Sequence, residues 1–168
     1  MMDEREFMSS YDAYSDAIFR HCFFRLSGRE EAKDAVQEVF LRAWKYSQAN
    51  KIENIRALLY RIAGNIIIDT YRKKKTISLD KLEENGFQPK DNSYEKIMLN
   101  TEAKNFIKLL DRLEDKEREV VIMRYVDGFG PDEIADIIAK RDGDEVSPNL
   151  ISVRLSRAIS KLQSFIKQ

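Results

Sequence analysis

The sequence has one cysteine, one histidine, three prolines and six glycines in 168 residues. A lone cysteine rules out a disulfide framework. His21 and Cys22 are chain neighbours whose side chains diverge on a helix, and no second cluster completes a zinc site, so neither a metal nor another cofactor is expected. So few turn formers cannot punctuate a many-stranded β protein, which leaves helices. No apolar run exceeds a few residues, and the opening MMDERE is acidic where an export signal is basic. Neither export nor membrane insertion is expected, and the expected location is cytoplasmic. Net charge is missing as well, because 29 basic and 29 acidic residues cancel. That excludes a polycation that coats nucleic acid indiscriminately.

The charges are present but unevenly placed. Residues 1–77 carry +3, residues 78–103 carry −3, residues 104–145 carry −4 and residues 146–168 carry +4. Two basic stretches separated by acidic ones suit a protein that touches a polyanion at two places. Apolar residues recur at helical spacing almost throughout, as in Ala35, Val36, Val39, Phe40, Ala43 and Trp44, or Leu58, Leu59, Ile62, Ala63, Ile66 and Ile67. The spacing predicts helices over about 3–26, 29–47 and 54–75, broken at Ser27-Gly28 and by the polar stretch 47–54. Periodicity then fails, and residues 76–92, with Asn85-Gly86 and Pro89, read as a linker. Helices at about 93–113, 116–126, 131–140 and 147–166 form a second unit. Gly130-Pro131 and Ser147-Pro148 mark two of the helix starts, with Pro in the first turn after a small residue. The expected fold is all-α: two small helical domains joined by a flexible linker.

In the second unit, a helix with Ile134, Ala135, Ile137 and Ile138 is followed by a polar turn and a helix with Ile151, Leu155, Ala158, Ile159 and Leu162. This is the layout of a helix-turn-helix, whose second helix enters a major groove. Its apolar face packs inward and leaves Asn149, Ser152, Val153, Ser156, Arg157 and Lys161 outward. Arg157 and Lys161 stand one turn apart, suited to phosphates or a guanine edge. In the first unit, the helix at 54–75 carries Arg56, Arg61, Asn65, Asp69 and Arg72 among Tyr60 and Tyr71 and ends in a basic run. Asn65 and Asp69, four apart, share a face and suit hydrogen bonding to unpaired base edges; the basic end serves equally as a partner for the helix dipole.

The stretches DAVQEVFLRAWKY (34–46), NIRALLYRIAGNIIIDTYRKKK (54–75), REVVIMRYVDGFGPDEIADIIA (118–139) and SVRLSRAISKL (152–162) together resemble, in order, the extracytoplasmic-function (ECF) sigma factors of bacterial RNA polymerase. The resemblance implies that residues 1–76 form a region-2-like domain, 77–103 a linker and entry helix, and 104–168 a region-4-like helix-turn-helix domain. It implies promoter DNA and core RNA polymerase as partners, the latter through the clamp helices and flap, with an anti-sigma factor or other adaptor as a further one. By position, Asp34, Gln37, Glu38 and Arg42 would meet the clamp helices. Asn50, Lys51, Asn54, Arg56, Arg61, Asn65, Asp69 and Arg72 would hold the melted minus-ten strand. Asn149, Ser152, Val153, Ser156, Arg157 and Lys161 would face the minus-thirty-five duplex.

The sequence departs from the family pattern in places. Leu113 is followed by Glu114-Asp115 where the family usually has Pro. The stretch 140–146 (KRDGDEV) makes a turn longer than an ordinary helix-turn-helix, which is expected to change the docking angle of the next helix. Ser152 and Val153 offer little base-reading capacity. Asp142, Asp144 and Glu145 lack the remaining ligand positions of a calcium loop. A helix-turn-helix regulator acting on closed duplex without polymerase accounts for 118–168 but leaves 34–75 as mere core. No paired carboxylates flank a histidine or metal ligand set, and there is no Gly-rich phosphate loop, so an enzyme is not expected.

Overall fold

The computed structural model describes residues 1–81 and 101–167, and all of their regular structure is helical. Helix α1 (Glu4–Leu26) starts at a reciprocal cap: the Asp3 carboxylate accepts from Glu6 N–H at 2.9 Å and the Glu6 carboxylate from Asp3 N–H at 3.1 Å. It ends at Ser27, held in the left-handed region at φ 60°, whose N–H bonds back to the Phe23 carbonyl. Helix α2 (Arg29–Ala49) follows after Gly28. Helix α3 (Ile55–Lys81) opens where the Asn54 side chain accepts from Ala57 N–H. The three pack on one another around Ile18, Cys22, Val39, Leu59, Ala63 and Ile67, all fully shielded from solvent. Truncating a side chain the size of Leu59 in such a site costs about 2–5 kcal/mol.

The sequence pattern ended the third helix at 75 and began the linker at 76; the helix continues to Lys81. Thr76 is accommodated inside it, its hydroxyl donating to the Arg72 carbonyl one turn back. The rest of the expected linker and the first residues of the helix expected at 93–113 lie outside the described residues.

In the second unit, α4 (Thr101–Asp111) and α5 (Asp115–Val121) lead into a π-helical turn at Ile122–Val126. Helices α6 (Pro131–Asp142) and α7 (Pro148–Ile166) form the helix-turn-helix, with α4, α5 and α6 all packed on α7. The turn is shorter than the sequence implied. Lys140, Arg141 and Asp142 belong to α6, which runs until Gly143 caps it at φ 76°. The extra helical turn is anchored by Arg141, whose guanidinium reaches Glu119 on α5 at 2.6 Å. Ser147 caps α7 by accepting from Leu150 N–H.

The two units are not simply tethered. Helix α3 packs on α6 and α1 packs on the π turn, so one continuous apolar core runs from Ile18 to Leu162. At Gly64 on α3, an added Cβ would lie 2.6 Å from Nη1 of Arg141, so the absent side chain is what leaves room for the Arg141 side chain of α6.

Candidate nucleic-acid interface

On α2, the helical period buries Ala35, Val36, Val39, Phe40 and Ala43 and turns Asp34, Gln37 and Arg42 outward, with Glu38 half-buried beside them. Arg42 Nε donates to Glu38 across one helical turn at 2.8 Å, which makes a mixed-charge strip on a face left exposed among the described residues. The four residues expected to meet polymerase are thus brought together.

The residues expected to hold a melted strand divide into three groups. Asn50 and Asn54 serve the backbone: the Asn50 amide donates to the Tyr46 carbonyl and the Asn54 side chain caps α3. Arg61, Asn65, Asp69 and Arg72 recur every three or four residues along one side of α3; the last three are exposed and Arg61 is partly so. The Arg61 guanidinium lies 5.6 Å from the Tyr46 ring centroid, and together with Lys51 it lines a groove of about 460 Å³ beside the 50–54 loop. Asp136 and Lys140 of α6 form the opposite wall of that groove. Arg56 belongs to neither group. It projects roughly 180° around α3 from Asn65, and the second unit holds it.

The contacts around Arg56 define the seam between the units. Arg56 Nη2 donates to the Asp127 carbonyl at 2.6 Å, its guanidinium stacks 3.9 Å from the Phe129 ring centroid, and Glu133 lies 4.0 Å away. The Asp127 carboxylate accepts from His21 Nδ1 at 2.6 Å and from the Tyr60 hydroxyl at 3.4 Å. Burial first, then the Asp127 charge, push the Tyr60 hydroxyl well above its ordinary value. These groups are aimed by the π turn. Its wider register gives Asp127 N–H to the Ile122 carbonyl, and Gly128 at φ 80° then folds Phe129 back so that its N–H meets Met123.

One turn further along α1, Glu119 stands between Arg25 at 3.2 Å and Arg141 at 2.6 Å, all of them buried. Burial works to raise this carboxyl, but the two guanidiniums outweigh it and hold it below the usual carboxylate range. The Tyr71 hydroxyl donates to the Arg25 carbonyl, while Nε and Nη1 of Arg25 have no hydrogen-bond partner among the described residues. Cys22 beside it is a buried thiol that desolvation pushes up to about 12, so it is inert.

On α7, Asn149, Ser152, Val153, Ser156 and Arg157 are exposed on one face, along with Leu150. Lys161 shares that face but is engaged: its Nζ meets Glu117 at 2.9 Å, a hydrogen bond that raises the lysine above its ordinary value. Glu117 in turn accepts from Glu114 N–H, so Glu114-Glu117 caps α5 where the family pattern has Pro.

Sequence reasoning missed His21, Arg25, Glu119, Asp127 and Arg141 as interacting groups. One signal was available. A glycine at 64 inside a strongly helical run costs about 1 kcal/mol against alanine and so marks a close approach.

No described helix is long and apolar enough to cross a membrane. Residues 10–77 match the family described as Sigma-70 region 2, and residues 103–162 match Sigma-70, region 4. The ECF RNA polymerase sigma factor SigW of Bacillus subtilis is 30% identical over 151 residues, covering 81% of this chain and 79% of that protein. SigX of the same organism is 24% identical over 139 residues, covering 79% and 72%. Among solved structures, the fold is shared by the sigma factor RpoE in complex with the anti-sigma factor NepR from Bartonella quintana, with TM-score 0.76, 23% identity and coverage of 97% and 98%.

Proposed function

As the chain belongs to the ECF sigma factors of bacterial RNA polymerase, we propose that its first unit both docks on the core enzyme and holds the melted promoter strand, while its second unit anchors the upstream duplex. The chain is a transcription initiation factor; it works beside the polymerase in the cytoplasm, and nucleotide chemistry stays with the polymerase. The working division is residues 1–76 for the first unit and 104–168 for the second, with 77–103 between them.

Docking uses the strip Asp34, Gln37, Glu38 and Arg42, whose buried opposite face keeps α2 rigid. Strand capture uses Lys51 and the row Arg61, Asn65, Asp69 and Arg72. An unstacked base costs a few kcal/mol, which contacts from this row and the 50–54 loop must offset. Asn65 offers both a donor and an acceptor to an exposed base edge, and the flanking arginines bind phosphates. The exposed face of α7 lies along the duplex, with Arg157 as its main cation. A protein of the NepR kind, an anti-sigma factor, is the expected regulator. The observation that carries this reading is the row of partly exposed Arg61 and exposed Asn65, Asp69 and Arg72 beside the 50–54 groove, since a duplex-only regulator has no use for it.

The test is reconstitution. The purified chain, added to core polymerase and fragments of its host genome, should co-elute with the core and open a defined subset of promoters to permanganate. A chain that neither binds the core nor opens any fragment would end this reading.

A further inference from the structure

The seam has the chemistry of a nucleotide seat with a peptide in it. On the first unit, Arg56 offers a flat cation, Tyr60 an aromatic edge and a hydroxyl, and His21 a ring N–H; on the second, a carboxylate and a flat ring fill those positions. The Phe129 ring centroid lies 3.9 Å from the Arg56 guanidinium, where an unpaired base would stack on that cation, and Tyr60 flanks the ring edge to face at 4.8 Å. The Asp127 carboxylate takes the hydrogen bonds of His21 and Tyr60, and the Asp127 carbonyl takes that of Arg56, as phosphate oxygens would. Glu133 adds a second anion beside Arg56.

We propose that His21, Arg56 and Tyr60 form a seat for one unpaired nucleotide of single-stranded nucleic acid, occupied in the free chain by Phe129 and Asp127 as an internal stand-in. This rests on reading the first unit as a strand-binding domain, and it adds a contact on the face of α3 opposite Asn65. Three observations favour nucleic acid over simple packing. Arg56 remains about a third exposed, so the seat opens at its edge to solvent. The first unit carries +3 over residues 1–77, and the part of the second unit that packs on it, residues 104–145, carries −4, so a polyanion competes for the face that this part covers. The closed seam is also incompletely satisfied. Arg25, held at its far end by Glu119, has no hydrogen-bond partner for Nε and Nη1 among the described residues, and separation of the units returns them to water or phosphate. Strand entry and domain separation are therefore linked, each favouring the other to the same extent.

The experiment uses the full chain and a fluorescein-labelled oligothymidylate at low salt, followed by anisotropy, with domain separation read as the radius of gyration in solution scattering. No polymerase is present, so failure of the seat and failure of the sigma-factor reading are separable. Asp127→Asn with Glu133→Gln removes the competing anions. This double variant should expand and bind the oligonucleotide about tenfold more tightly, the equivalent of one charge-assisted contact. Adding Arg56→Ala should erase the gain. Should the double variant lose its cooperative melt, Gly64→Leu opens the same seam by displacing Arg141 and leaves the seat residues intact. A folded double variant that neither expands nor binds more tightly, no gain in an expanded variant, or a gain that survives Arg56→Ala, overturns the proposal.

Discussion

Glu119 reaches Arg25 with one carboxylate oxygen and Arg141 with the other, at 3.2 Å and 2.6 Å, so a single buried anion joins α1, α5 and α6. Removing one partner from such a site leaves a desolvated charge, so Glu119→Gln should lower the free energy of unfolding by about 3–5 kcal/mol at neutral pH. The pH dependence has a definite sign. The folded carboxyl lies below the ordinary value, so its contribution is complete above the unfolded value, about 4.3 for Glu, and is lost as pH falls through the folded one. Urea titrations of wild type and variant should therefore converge as pH drops below about 4. A gap that persists unchanged into acid would mean that shape, not charge, holds the seam.

Charge reversal at Asp34 and Glu38, each to Lys, should weaken binding to core polymerase without loss of helicity. Both residues lie off the apolar stripe of α2, and among the described residues the contact given up is the Glu38–Arg42 pair, about 0.3–0.5 kcal/mol. Rim charges act mainly on association, so the loss should appear as a slower on-rate that high salt masks. Circular dichroism checks the helix, and surface-immobilised core enzyme checks the rate. Equal on-rates at low salt would remove α2 from the docking surface.

What the sequence made legible was whatever repeats with the helical period. Leu58, Leu59, Ala63, Ile66 and Ile67 are buried as their spacing implies, while Asn65 and Asp69 face solvent from the same helix. What it concealed was the seam, because His21 and Asp127 are 106 residues apart and both are polar. Periodicity finds a buried apolar face and is blind to a buried polar contact between domains. The turn 140–146 was misread for a related reason: KRDGDE looks like solvated loop until Glu119 supplies the anion that draws Arg141 onto the core. Gly143, not the charged run, ends the helix.

Asn65→Ala should reduce promoter opening more than initial duplex binding. The side chain is exposed, so its removal leaves stability nearly unchanged, while a lost base-edge contact costs roughly 1–3 kcal/mol. Permanganate reactivity at matched occupancy separates the two steps. Equal melting by variant and wild type would show that the Asn65 face does not touch the strand.

On α7, Arg157 and Lys161 look equivalent in sequence but not in space. Arg157 is exposed, whereas Lys161 Nζ is held by Glu117 at 2.9 Å. Arg157→Ala should therefore weaken binding to promoter duplex across sequences and reduce the salt slope by about 1, the signature of one lost phosphate contact. Lys161→Ala should change the slope far less, since a lysine already neutralised by a carboxylate releases little counterion on binding. Ser152 and Val153, exposed where base edges would be read, lack the bidentate groups that give sharp discrimination. Selection of duplexes from a random pool by the full chain should consequently return a weak consensus, with affinity set mainly by phosphates. Anisotropy titrations at several salt concentrations test the pair of substitutions. Equal slope changes for the two variants would mean that Lys161 leaves Glu117 for the DNA, and a sharp consensus would mean that α7 reads bases through its remaining polar groups, Asn149 and Ser156.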